Sequence, residues 1–143
     1  MASLDERFTQ ALHGGARAWR SALERRLRAS GLTAAGWSAM AQAVASPAPL
    51  SQRELARQLG VDGATLVATI DRLAAASLVE RVPSPHDRRV KLVVPTARGK
   101  EVAAEIELFT AALRQQVLAR IDSGRIVVAA AVLEELRAIL EGA

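Results

Sequence analysis

The stretch from Ser51 to Gly99 leaves this chain little choice of fold. Ser51-Gln-Arg-Glu54 places a Ser three residues before a Glu, the reciprocal arrangement that satisfies two orphan amides where a helix begins. The helix it opens turns Leu55 and Leu59 inward, and Gly60 stands where a residue free to take positive φ ends it. Asp62 is an N-cap for a second helix, in which Leu66, Ile70 and Leu73 follow the i, i+4, i+7 spacing of a buried stripe. The other face of that helix is small and polar: Ala64, Thr65, Ala68, Asp71 and Arg72, with Thr69 at its margin. Beyond Ser77 the character changes. Leu78-Val-Glu-Arg-Val82 and Val90-Lys-Leu-Val-Val94 are β-prone runs flanking Pro83 to Arg89, a hairpin with a basic tip. Two helices at a short turn followed by such a hairpin predict a winged helix-turn-helix, its second helix sized for a DNA major groove.

Composition agrees with a helical protein built around that unit. At 143 residues the chain supports one domain with its own core, and half of its residues are hydrophobic. Aromatics make up only 3%, so an aliphatic, mainly α core is expected rather than a β-sandwich. The absence of cysteine excludes disulfides, thiolate zinc sites and thiol-based sensing. Lys and Arg outnumber Asp and Glu by 19 to 15, and the positive charge gathers in Arg17–Arg28 and Arg81–Arg98, which suits a polyanionic partner. No apolar run is long enough to span a membrane, and Met1-Ala-Ser-Leu-Asp-Glu is not a basic segment leading into an apolar one. A cytoplasmic location is the expectation.

Long amphipathic helices flank the central unit. Ser3 with Glu6 opens the first, whose apolar face is Phe8, Leu12, Ala16, Trp19, Leu23 and Leu27. Gly14-Gly15 is expected to interrupt it, by a kink in preference to a close helix approach. The arginines of this helix read as a solvated face. Thr33 caps a helix to about Ala45, and Ser46-Pro-Ala-Pro49 forces an irregular connection. Thr96 caps a long helix with Val102, Ile106, Phe109, Leu113 and Val117 as its stripe; after Asp122-Ser-Gly124 a last helix, Arg125 to Glu141, carries Ile126, Ala130, Leu133, Leu136 and Leu140.

The ordered set Ser51-Gln-Arg-Glu-Leu-Ala, Leu59-Gly, Thr65-Leu-Val, Asp71-Arg-Leu73, Leu78-Val-Glu-Arg81, Asp87-Arg-Arg89 and Thr96-Ala-Arg-Gly99 resembles the MarR family of bacterial regulators. Arg17-Ala-Trp-Arg20, Leu23, Arg26-Leu27 and Gly31-Leu32, ahead of Trp37, are similar to its SlyA-like branch. The resemblance implies a single domain over residues 1–143, with 1–32 and 100–143 as dimerisation helices and 33–99 as the DNA-binding unit. It also implies that Asp87 orients Arg89 into a DNA minor groove, and that Arg20 lies near a ligand pocket. Two positions depart from the pattern: Ser77 replaces a usual Gly, where a left-handed backbone costs about 1–2 kcal/mol unless the turn is remodelled, and Ala68 replaces an Arg of the SlyA-like branch.

A dimeric, DNA-binding transcription regulator is therefore expected, a repressor of a pseudo-palindromic site. The candidate DNA contacts are Ser51, Gln52, Ala64, Thr65, Ala68, Thr69 and Arg72, with Asp87, Arg88 and Arg89 on the wing. Trp19, Arg20 and Trp37 are the candidate contacts for a small aromatic acid effector, the two tryptophans being read first as core. An alternative is a winged-helix adaptor that binds protein; the cationic wing, with Arg81, Arg88, Arg89 and Lys91, argues against it. His13 and His86 lie far apart with no acid or nucleophile constellation, so neither an enzyme nor a metal site is expected, and no cofactor is called for.

Overall fold

The computed structural model describes residues 1–142. Its helices are α1 (Leu4–Leu27), α2 (Ala34–Ala45), α3 (Gln52–Leu59), α4 (Gly63–Ala75), α5 (Ala97–Leu118) and α6 (Ser123–Gly142); its strands are β1 (Leu50–Ser51), β2 (Val79–Pro83) and β3 (Lys91–Pro95). The strands form one antiparallel sheet in the order β1-β3-β2, with Leu50 opposite Val93 and Arg81 opposite Val93 on the other side. The hairpin strands start one residue later than their composition suggested. β1 was not foreseen at all, because its two residues follow Pro49 and the second doubles as a helix cap.

The caps are those the side chains dictate. Ser3 and Ser51 each close a reciprocal box with Glu6 and Glu54. The hydroxyl of Thr33 accepts from the amide of Gly36 at 3.0 Å, and that of Thr96 accepts from the amide of Gly99 at 2.9 Å. Asp62 accepts from both the amide and the hydroxyl of Thr65, each at 2.8 Å, and Asp122 accepts from the amide of Arg125 at 3.1 Å. Because Asp122 caps it, α6 begins two residues before Arg125.

The chain divides into two compact units, the first ending at Glu107 and the second beginning at Leu108. In the first, Leu27, Trp37, Met40, Leu55, Leu66, Ile70, Leu73, Leu78, Val79, Val93, Ala103 and Ile106 form one buried cluster. At its seam the chain makes a close crossing. Ser77 adopts φ 62°, so the turn keeps its left-handed form without glycine. Its carbonyl accepts from the Thr96 hydroxyl at 2.7 Å, and the Thr96 amide donates to the carbonyl of Leu78 at 3.1 Å. Gly99 must be glycine here, since a Cβ would sit 2.0 Å from the Leu78 carbonyl oxygen.

One expectation about the long helices needs correction, and two are refined. α1 runs unbroken through Gly14 and Gly15, and a Cβ at either would meet nothing within 4 Å. On α5 the buried positions are Ala103, Ile106, Thr110 and Leu113, whereas Phe109 is 56% exposed and Val117 is exposed too. Ile106 and Leu113 of the expected stripe are thus covered together with the small Ala103 and Thr110, and Phe109 and Val117 are left uncovered by the single chain. α6 has no buried residue, and its apolar side chains lie all round the helix, Val127 and Leu140 being 68% and 66% exposed.

Candidate nucleic-acid interface

Helix α4 is held by its cap and its buried stripe so that Ala64, Thr65, Ala68, Asp71 and Arg72 face outward. Asp62 carries the cap as a carboxylate, and the hydrogen bonds from Thr65 hold its pKa below the usual carboxylate range. Thr69 does not belong to this face. It is 3% exposed, and its hydroxyl turns back to the carbonyl of Thr65 at 3.1 Å, because the helix advances 100° per residue and carries position 69 toward α1 and α2. Ser51 is also buried, its hydroxyl accepting from the amide of Glu54 at 3.1 Å. It serves the cap rather than an outside partner.

The wing tip is ordered from within. The amide of Ser84 donates to the carbonyl of Val90 at 2.8 Å, and the amide of Val90 to that of Asp87 at 2.9 Å. Asp87 then receives the amide and Nε of Arg89 at 3.1 Å and its guanidinium Nη2 at 3.2 Å. These bonds pull the Asp87 pKa below the ordinary value, and they fix the root of a side chain that is 90% exposed. Arg88 beside it is exposed as well. Between α3 and the wing runs a broad groove lined by Gln52, Arg53, Arg57, His86, Arg89 and Lys91, with Glu54 as its acidic member.

Arg81 ties these parts together. From β2 its Nε donates to the Gln52 side-chain oxygen of α3 at 2.5 Å, and Nη2 donates to Asp71 of α4 at 2.6 Å and to the carbonyl of Val67 at 3.4 Å. Gln52, expected as a DNA contact, thus uses its oxygen internally and keeps its amide protons. Arg81 and Asp71 were not among the expected site residues. The signal was present: Arg81 lies two positions after buried Val79, on the inward face of its strand, where a charged group requires partners.

A cavity of about 400 Å³ opens beside α4. Arg20 and Glu24 of α1 line it, with Thr33, Ala34, Ala35 and Ser38 at the start of α2, Leu59 and Val61 at the α3–α4 turn, and Thr65, Leu66 and Thr69 of α4. Of the three expected ligand contacts only Arg20 lies here. Trp37 is 8% exposed and packs in the buried cluster, and Trp19 is half-buried outside the cavity wall. Both indoles follow the apolar faces of their helices.

The profile of the MarR family matches residues 30–90, from the approach to α2 through α3, α4 and β2 to the wing tip. The transcriptional regulator PA3341 is 36% identical, the match covering 95% of this chain and 99% of that one, with a TM-score of 0.86. The chain belongs to the MarR family. Two further structures share its fold. CouR of Rhodococcus jostii RHA1, crystallised with p-coumaroyl-CoA, is 23% identical over 97% of this chain and 95% of its own, with a TM-score of 0.83. BpsR of Bordetella bronchiseptica, whose DNA binding is regulated by 6-hydroxynicotinic acid, is 22% identical over 96% and 97%, with a TM-score of 0.84. MarR proteins are transcriptional regulators with a DNA-binding winged helix, and this protein is mainly helical with a small antiparallel sheet in the same arrangement. No helix among the described residues is long and apolar enough to cross a membrane.

Proposed function

We propose that the protein is a homodimeric repressor, acting in the cytoplasm, that reads a pseudo-palindromic operator and leaves it when a small aromatic or phenolic acid enters the cavity at Arg20. The observation that carries the DNA reading is the outward face of α4, joined through Arg81 to a wing whose Arg89 is anchored by Asp87. In this reading residues 33–99 are the DNA-binding unit. Ala64, Thr65, Ala68 and Arg72 enter the major groove, Gln52 offers its amide to a phosphate, and Arg88 and Arg89 follow the adjacent minor groove, where a narrow A·T-rich tract concentrates negative potential. Residues 1–32 and 100–143 supply the dimer contacts, since the apolar surface of α6 asks for a partner. The α1 motif around Arg20 supports placing the protein with the SlyA-like branch.

Selection of bound duplexes from a random pool, followed by titration of the best duplex at several salt concentrations, tests this function. A two-fold symmetric site with half-sites about 10 bp apart is expected, and Arg89→Ala is expected to weaken binding while the thermal midpoint stays unchanged. Recovery of no enriched sequence refutes operator reading. A protein-binding adaptor would also lack the steep salt dependence that phosphate contacts impose.

A further inference from the structure

The cavity beside α4 contains both a cation and an anion, which narrows what it can hold. Arg20 and Glu24 are one turn apart on α1 and both line it. Among the described residues neither makes an ion pair or a side-chain hydrogen bond. Their order explains this in part: an Arg four residues before a Glu is the weaker orientation of a helical pair. Both charges therefore remain available to a guest.

The opposite wall adds acceptors. Thr65 gives its hydroxyl proton to Asp62 at 2.8 Å and Thr69 gives its own to the Thr65 carbonyl at 3.1 Å, so toward a guest both hydroxyls accept. The amide of Thr65 is already taken by Asp62, and Arg20 is the cation in the lining, joined by the open first-turn amides of α2 at Ala34 and Ala35 as places for an anion. A plain acid bound there would lie beside the Glu24 carboxylate, like charge against like charge. A guest with an acid at one end and an ammonium or N–H donor at the other satisfies both ends. About 400 Å³ with aliphatic walls from Leu59, Val61 and Leu66 suits a single ring.

We infer that the cavity selects small amphoteric ring acids, with Arg20 taking the carboxylate and Glu24 the protonated donor. This rests on the reading of the cavity as an effector site. Occupancy would bear on Thr65 in the first turn of α4, beside the outward face.

Calorimetric titration of benzoate, 3-aminobenzoate and 3-(aminomethyl)benzoate into the parent protein, Glu24→Gln and Arg20→Gln tests it. The aminomethyl compound is expected to bind the parent at least about tenfold more tightly than benzoate, a difference of about 1.4 kcal/mol. Glu24→Gln is expected to shrink that ratio below about threefold, chiefly by improving benzoate, and Arg20→Gln to weaken all three. Unchanged thermal midpoint and duplex binding confirm that both variants are folded. Equal binding of benzoate and the aminomethyl compound by the parent, or a ratio that survives Glu24→Gln, overturns the inference while leaving the cavity an effector site. Binding of none of the three overturns the effector reading and this inference with it.

Discussion

The first unit and helix α6 are both rich in aliphatic side chains and dispose of them in opposite ways. In the first, Leu27, Met40, Leu55, Ile70 and Ile106 are each at most 1% exposed. In α6 no residue is buried, although Val127, Val128, Val132, Leu133, Ile139 and Leu140 are all there. Apolar content alone therefore does not say whether a segment completes its own core. The first unit has a sheet, five capped helix starts and a stripe on α4 that close on one another; α6 has apolar groups on every side, the pattern of a helix surrounded by other helices.

The largest effect separates these two behaviours. Val128→Asp combined with Leu133→Asp places two charges where we propose a second chain packs, and monomers are expected. Duplex affinity should fall by about a hundredfold or more, because linked half-site binding is lost. Amide exchange in α3 and α4 should stay protected. Sedimentation showing an intact dimer would mean that α6 has no such partner. The next effect strikes the other side of the contrast. Gly99→Ala drives a methyl into the Leu78 carbonyl and should cost about 3 kcal/mol in chemical denaturation. A loss below about 1 kcal/mol would show that the crossing of α5 over the sheet yields easily.

Arg81→Met probes the first unit without opening its core. It cuts the links from β2 to Gln52 and Asp71, and as Arg81 is partly exposed the stability loss should be only about 1 kcal/mol. Duplex affinity should drop by about tenfold, since α4 and the wing lose their common tether; an unchanged affinity would leave Arg81 a purely structural residue. A smaller effect, in the opposite direction, is expected at the turn into the sheet. Ser77→Gly should stabilise the fold by about 1 kcal/mol, strain relief outweighing the added freedom of the unfolded chain. Destabilisation instead would show that the Ser77 side chain contributes more than its backbone strain costs.

What was legible in the sequence follows the same division. Short-range chemistry reads directly: the Ser51–Glu54 box, the Asp62 cap and the Leu66, Ile70, Leu73 stripe each involve residues within one or two turns. Contacts set by packing at a distance did not. Thr69 looked marginal on a helical wheel and is buried, because α2 packs against that edge of α4. Trp37 fills the core, as its first reading had it, while Glu24 went unnoticed because only the folded chain brings α1 beside α4. On α5 the face covered within the single chain includes the small Ala103 and Thr110, which an apolar count passes over. Sequence periodicity finds a helix and its apolar residues; which face is covered depends on what arrives from elsewhere.

The smallest effect is one of pH, and it too falls on the first unit. Asp62 and Asp87 both have pKa values held below the usual range, Asp62 by its bonds with Thr65 and Asp87 by Arg89. A carboxyl with a folded pKa below its unfolded one contributes its full stabilisation above the unfolded value, and that contribution disappears as the pH falls through the folded one. The stability of the first unit should therefore decline on acidification below the ordinary carboxylate range, from about pH 4 downward. Asp62→Asn keeps an N-cap acceptor that does not titrate. Its unfolding midpoint should match the parent near neutrality only approximately, yet its slope against pH between about 4 and 2 should be shallower. Asp62 is exposed and Asp87 only half-buried, so the change is small and is best read from the amide signals of Thr65 rather than from global unfolding. Identical slopes for parent and Asp62→Asn would mean that the cap holds the start of α4 equally well without the charge.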